Sequence, residues 1–165
     1  MAATYELIAS NTLTTTAASV TFSSIPNTYS DLVLMISART SASQNRSGIA
    51  LRFNGATTNV NMSGTWLEQE DNTVYSFRND TVVQTNGNTT TSNVFGNAKI
   101  YFPNYTSSVS KSYASFFVIE NNSATGNQIA AVSGLFQNTS ALNEIKLISD
   151  FVSGSSFFLY GLKDS

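Results

Sequence analysis

The chain has 165 residues, with 8 Lys+Arg, 10 Asp+Glu, no His and no Cys, which is room for a single domain over residues 1–165 built on one core. Without His or Cys there is no Ser-His-Asp triad, no thiolate nucleophile and no His- or Cys-ligated zinc or iron site. A net charge of −2 leaves no basic footprint for nucleic acid. Only 11% of residues are charged, and polarity is carried instead by 25 Ser, 20 Thr and 18 Asn. No disulfide is available, so stability must come from core burial or from oligomerisation. The longest apolar runs, such as Phe157-Phe158-Leu159-Tyr160, fall far short of the about 20 residues of a membrane-spanning helix. The opening residues, Met1 to Ile8, lack the basic and apolar stretches of a secretory leader, so export is not expected.

Strand signals dominate in chain order. Thr4 to Ala9 is short and mixed, and Leu13 to Phe22 is rich in Thr, Ala and Val and ends before the turn at Pro26. Leu32 to Ala38 is apolar on both alternating faces, which predicts a central strand. Ile49, Leu51 and Phe53 share one face before the Asn54-Gly55 turn. Asn59 to Met62 and Thr65 to Leu67 are weak strands, Glu68 to Asn72 is a polar loop, and Val74 to Phe77 is a short strand. Residues 79–94 are so polar around Asn86-Gly87 that they read as one long loop, a length usually reserved for function or a partner. Ala98 to Phe102 is a strand closed by Pro103-Asn104, and Tyr113 to Ile119 is a second strand with two apolar faces. Glu120 to Gly126 is a turn cluster. Ile129 to Phe136, Ile145 to Ile148 and Ser156 to Leu162 complete the strands, with one helical turn expected at Leu142 to Lys146.

Nine or ten short strands at regular spacing, with no helix of convincing period, predict an all-β fold, a two-sheet antiparallel sandwich. Loops of mixed length favour a jelly-roll-like arrangement. The predicted core is Leu34, Ile36, Leu51, Phe53, Ile100, Phe102, Phe117, Ile119, Leu135, Leu147 and Leu159.

Candidate chemistry is sparse. Glu68, Glu70 and Asp71 sit close in sequence, but little apolar flank is present to raise a carboxyl pKa, and their spacing is not that of an EF-hand loop. Solvated loop acids are the better reading, and no catalytic residue, cofactor or metal is expected. The eight cations are spread singly along the chain. Aromatics are more informative. In Phe116-Phe117 and Phe157-Phe158, neighbours on a strand point to opposite faces. One face is core, and the other needs cover, from a second layer or from a neighbouring subunit. Trp66 is core, a sugar platform or an interface anchor. The candidate partner contacts are therefore Trp66, Val82, Val83, Asn86, Asn88, Phe116 and Phe158.

Several stretches carry a resemblance. They are Phe22-Ser-Ser-Ile-Pro-Asn-Thr-Tyr-Ser-Asp-Leu-Val-Leu, Ser37-Ala-Arg-Thr, Leu51-Arg-Phe-Asn-Gly, Ile100-Tyr-Phe-Pro-Asn-Tyr, Lys111-Ser-Tyr, Glu120-Asn-Asn and Phe158-Leu-Tyr-Gly-Leu-Lys. In their order the chain resembles small all-β virion proteins of tailed bacteriophages, especially phages of marine bacteria and cyanobacteria. Residues 56–98 match least. The resemblance implies a non-enzymatic virion component located on the capsid surface and assembled in the host cytoplasm. Its expected role is a capsid decoration (cement) protein that binds the major capsid protein and stabilises the shell. The alternative it leaves open is a tail-fibre or receptor-binding tip that contacts a host surface glycan, with Trp66 and the 79–94 segment in contact. The chain's start, with no leading shaft or tail-docking segment, favours the capsid expectation. Self-association is expected from the two-faced strands, and a trimer from the resemblance. Neither nucleic acid nor membrane is an expected partner.

Overall fold

A computed structural model describes residues 4–56, 62–68, 74–77, 81–120 and 128–163. The described residues form twelve strands: β1 (Thr4–Thr12), β2 (Ala17–Phe22), β3 (Asp31–Ala38), β4 (Arg46–Phe53), β5 (Met62–Glu68), β6 (Val74–Phe77), β7 (Thr81–Asn86), β8 (Gly96–Phe102), β9 (Lys111–Ile119), β10 (Gln128–Phe136), β11 (Ile145–Phe151) and β12 (Ser156–Lys163). They form an eight-stranded sheet in the order β1-β12-β3-β8-β9-β10-β5-β6 and a four-stranded sheet in the order β2-β11-β4-β7. Every strand pair is antiparallel, and the described residues contain no helix. The protein is an all-β, two-sheet antiparallel sandwich. Its division is eight and four, not the even halves of an eight-stranded jelly roll.

Alternation along the strands builds the core. Leu32, Leu34 and Ile36 of β3, Ile100 and Phe102 of β8, Phe117 and Ile119 of β9 and Phe157 and Leu159 of β12 are buried. They face Val20, Phe22, Ile49, Leu51, Phe53, Ile145 and Leu147 of the small sheet, in one continuous cluster. Aromatic edges lock the two layers, with Phe53 packed 5.7 Å from Phe102 and 4.6 Å from Phe136 between ring centroids. Of the predicted core only Leu135 is misplaced. It is 37% exposed, while Ala130, Val132 and Phe136 point inward. The inward set of β10 therefore runs on even-numbered residues, one register step from the prediction.

Other boundaries also move. β1 extends to Thr12, and Leu13 to Thr16 form a break where Leu13 N–H donates to Ser155 O at 2.9 Å. Leu142 to Lys146 makes no helical turn, because Ile145 already begins β11. The largest correction concerns residues 79–94: Thr81 to Asn86 is strand β7, paired in register with Arg46 to Ala50 of β4. The predicted Asn59 to Met62 strand, the Glu68 to Asn72 loop and the Glu120 to Gly126 turn fall mostly outside the described residues.

Turn chemistry agrees with the residues present. Asn54 and Gly55 both adopt positive φ, at 53° and 73°, as a tight turn after β4 requires. The Asn54 side chain then ties this turn to the far loop: its Nδ2 donates to Ala141 O at 2.7 Å, and its Oδ1 accepts from Asn143 N–H at 2.9 Å.

Candidate interaction surface

The outer face of the large sheet, turned away from the core, is unusually apolar. β3 explains why both of its faces read as apolar: it lies between β12 and β8. Its outward Val33 is fully buried, with Tyr101 and Tyr160 as its register partners on either side. Around that centre Tyr5 (46%), Leu7 (54%), Met35 (36%), Phe116 (50%), Ile129 (45%) and Leu135 (37%) remain exposed. Six large apolar side chains are thus exposed on one sheet face, where soluble monomers seldom leave large apolar area bare.

The register shows how these residues meet. One row across the sheet runs Phe158, Met35, Lys99, Phe116 and Ala131, and the next runs Tyr160, Val33, Tyr101, Ala114 and Ser133. In the first row an open groove of about 280 Å³ lies over β8, lined by Met35, Asn97, Ala98, Lys99, Phe116 and Val118. Lys99 leans across the sheet so that its ammonium stands 5.8 Å from the Tyr5 ring centroid, a cation–π contact. Tyr5 in turn meets Tyr160 edge-on at 6.1 Å. At the start of β3 Asp31 Oδ2 accepts from Tyr101 OH at 2.6 Å and Asp31 Oδ1 from Asn104 N–H at 2.8 Å, which fixes the Tyr101 ring over the face.

The segment after β7 is ordered from within. Arg39, just beyond β3, is 7% exposed. Its guanidinium donates to Thr90 Oγ1 at 2.8 Å and to the carbonyl oxygens of Thr91 (2.7 Å), Val94 (3.1 Å), Asn88 (3.0 Å) and Thr90 (3.1 Å). The loop thus wraps a cation. Its carbonyls serve the fork geometry that only a guanidinium offers. Gly87 begins the wrap where a Cβ would fall 2.0 Å from Gln44 O, so backbone meets backbone there.

Two buried polar groups sit beneath β9. Lys111 is 1% exposed and donates from Nζ to Val109 O at 2.6 Å and Asn138 O at 3.2 Å; burial pulls its pKa below the ordinary lysine value. The Tyr113 hydroxyl is buried with no hydrogen-bond partner among the described residues, and burial pushes its pKa up to about 12.

The predicted contact residues divide. Phe116 and Asn88 are exposed and Phe158 is half-buried on the outer face. Val83 is wholly buried because it faces inward from the paired strand β7, and Asn86, of the opposite parity, is wholly buried where it bridges to Arg39 and Thr40; neither is a surface contact in the folded chain. Asn86 instead donates from Nδ2 to Glu120 O at 2.7 Å. Trp66 lies on β5 in register with Tyr75 and Val132, and Val82 on β7. Both side chains are outside the described residues, as are that of Glu68 and all of Glu70 and Asp71. Among the described residues no three carboxylates gather as a metal site would need. Sequence reasoning missed Met35, Lys99 and Tyr101 as parts of the face. The signal was present: both neighbours of Ile36 and both neighbours of Ile100 alternate outward from one central pair of strands. No protein-family model, no curated protein and no solved structure matches this chain.

Proposed function

We propose that the protein is a non-enzymatic structural component of a virion, a capsid decoration protein that binds the outer shell and stabilises it by covering its apolar sheet face in the assembly. The observation that carries this reading is the outer face of the eight-stranded sheet, with Tyr5, Leu7, Met35, Phe116, Ile129 and Leu135 exposed together. Such a patch supports contact with protein, since closing it against another apolar surface removes it from water. The polar outer surface of the small sheet, which includes Thr21, Lys146 and Arg52 in one registered row, suits the side left toward solvent. The phage resemblance supports the virion setting. Its stretches coincide with scaffold turns and strands, among them the Asn54-Gly55 turn and β12. A surface rich in Ser, Thr and Asn supports a role in salty surroundings, because neutral hydrogen bonds are less screened than ion pairs. The major capsid protein and further copies of this chain are the partners of this reading.

Antibody-gold labelling of intact virions tests it. Label distributed over the capsid shell is expected. Label confined to the tail tip overturns the decoration role in favour of a receptor-binding tip.

A further inference from the structure

The midline of the eight-stranded sheet runs between β8 and β9, its fourth and fifth strands. Across that line Lys99 is in register with Phe116 and Tyr101 with Ala114. One strand further out, Met35 on the β3 side stands level with Ala131 on the β10 side. All six are on the outer face. The two sides differ in bulk: Tyr101 and Met35 are large where their counterparts Ala114 and Ala131 are small. They also differ in relief. The groove of about 280 Å³ lies over β8, and the half-exposed Phe116 ring stands over β9.

A two-fold axis along this midline, parallel to the strands and midway between two facing sheets, sets β8 of one copy over β9 of the other and β3 over β10. We propose that the outer face of the eight-stranded sheet is an isologous dimer interface in which Phe116 of each copy enters the groove over β8 of the other. The proposal rests on the reading of this face as an assembly surface and names its occupant as a second copy of the chain. The same operation sets Tyr101 over Ala114 and Met35 over Ala131, large on small each time, which lets the sheets close to about the 10 Å spacing of stacked sheets. Lys99 faces the aromatic ring of Phe116 across the axis, a second ring for a cation that already rests against Tyr5. The two Lys99 residues lie on opposite sides of the axis, so like charges are not opposed.

The size of the face suits a dimer. Eight strands about 4.8 Å apart, with three rows of outward residues about 6.8 Å apart, give on the order of 750 Å², close to the about 800 Å² that each partner buries in a standard interface. A twofold pair also differs from the threefold arrangement implied by the phage resemblance: here the complementary halves lie side by side on one surface, as an isologous contact requires.

Sedimentation equilibrium of the full chain, from about 1 to 100 µM, reads the association constant directly. A species of two-chain mass is expected. Ala114→Trp, at an exposed site facing Tyr101 of the second copy, is expected to weaken it at least about tenfold while circular dichroism stays that of the folded sheet. Met35→Ala and Ala131→Met are each expected to weaken the dimer several-fold. The double variant M35A/A131M is expected to recover most of the loss, because the exchange again opposes one large and one small side chain. A monomer at 100 µM overturns the proposal, as does a dimer indifferent to Ala114→Trp or a double variant no better than its weaker parent. A monomer in solution together with gold label on the capsid removes this inference and leaves the decoration role standing.

Discussion

Arg39 holds Thr90 twice, through a 2.8 Å bond from Nη1 to the threonine hydroxyl and a 3.1 Å bond from Nη2 to its carbonyl. The two residues are 51 positions apart, and their contact turns a polar stretch with no apolar residue before Val94 into a fixed loop. Replacing Arg39 by Ala removes the donor and strands several carbonyls in a buried place. Such a loss costs about 3 kcal/mol. Urea denaturation is expected to show that loss, with faster amide exchange confined first to residues 87–95. A change below about 0.5 kcal/mol, the range of ordinary surface substitutions, contradicts the wrapped-loop account.

Gly87 gives an independent test of the same loop. A methyl group there meets the Gln44 carbonyl oxygen at 2.0 Å, and a backbone atom cannot rotate aside. Gly87→Ala is expected to destabilise by about 1–3 kcal/mol, measured as a lower thermal midpoint. A stability equal to that of the parent contradicts the close approach.

Tyr113 contributes to the alkaline limit, beside Tyr29 and Tyr105, whose pKa values are also raised. In the fold its hydroxyl keeps its proton to about pH 12, whereas in the unfolded chain a tyrosine releases it near pH 10. The folded value is the higher one, so stability from this group is fully present below pH 10 and is lost as pH rises from about 10 to about 12, by up to about 3 kcal/mol. Lys111 acts in the opposite sense: its folded pKa is lowered by burial, so stability is gained as pH rises toward the unfolded lysine value. Tyr113→Phe is expected to flatten the loss above pH 10 and, since the hydroxyl has no partner among the described residues, to cost little at pH 7. Denaturation midpoints at pH 9 and 11.5 decide this, and an unchanged alkaline slope in the variant contradicts it.

Phe116 and Phe117 are neighbours with opposite fates. Phe117 is fully buried and Phe116 half exposed. Phe117→Ala is expected to cost about 3–5 kcal/mol, and Phe116→Ala under about 1 kcal/mol in the dilute, unassociated chain. Equal losses in equilibrium unfolding contradict the assigned faces.

These pairs also show what the sequence made legible. β3 and β9 declared themselves because both alternating faces of their central stretches are apolar or small. β10 slipped by one because Gly134 sits at an inward position, where it offers no apolar mark to set the alternation. β7 was hidden: Thr81-Val-Val-Gln-Thr-Asn86 carries, among its described side chains, one apolar inward residue, Val83, and its strand state comes from pairing with β4 rather than from propensity. Arg39 looked like any scattered cation because its partners are backbone carbonyls, which leave no trace in residue identity. The aromatic doublets did signal a second apolar face, but its groove and its midline depend on strand order, which non-local pairing decides.

In the proposed role the outer face of the large sheet is covered in the working assembly. Hydroxyl-radical footprinting of the protein on intact virions, set against the dilute isolated chain, reads that face directly, since Met35, Phe116 and Tyr101 all carry oxidisable side chains on it. Strong protection of Met35 and Phe116 on the particle, with Lys146 and Thr21 of the small sheet labelled alike in both states, is the expected result. Equal oxidation of Met35 and Phe116 in the two states contradicts the account.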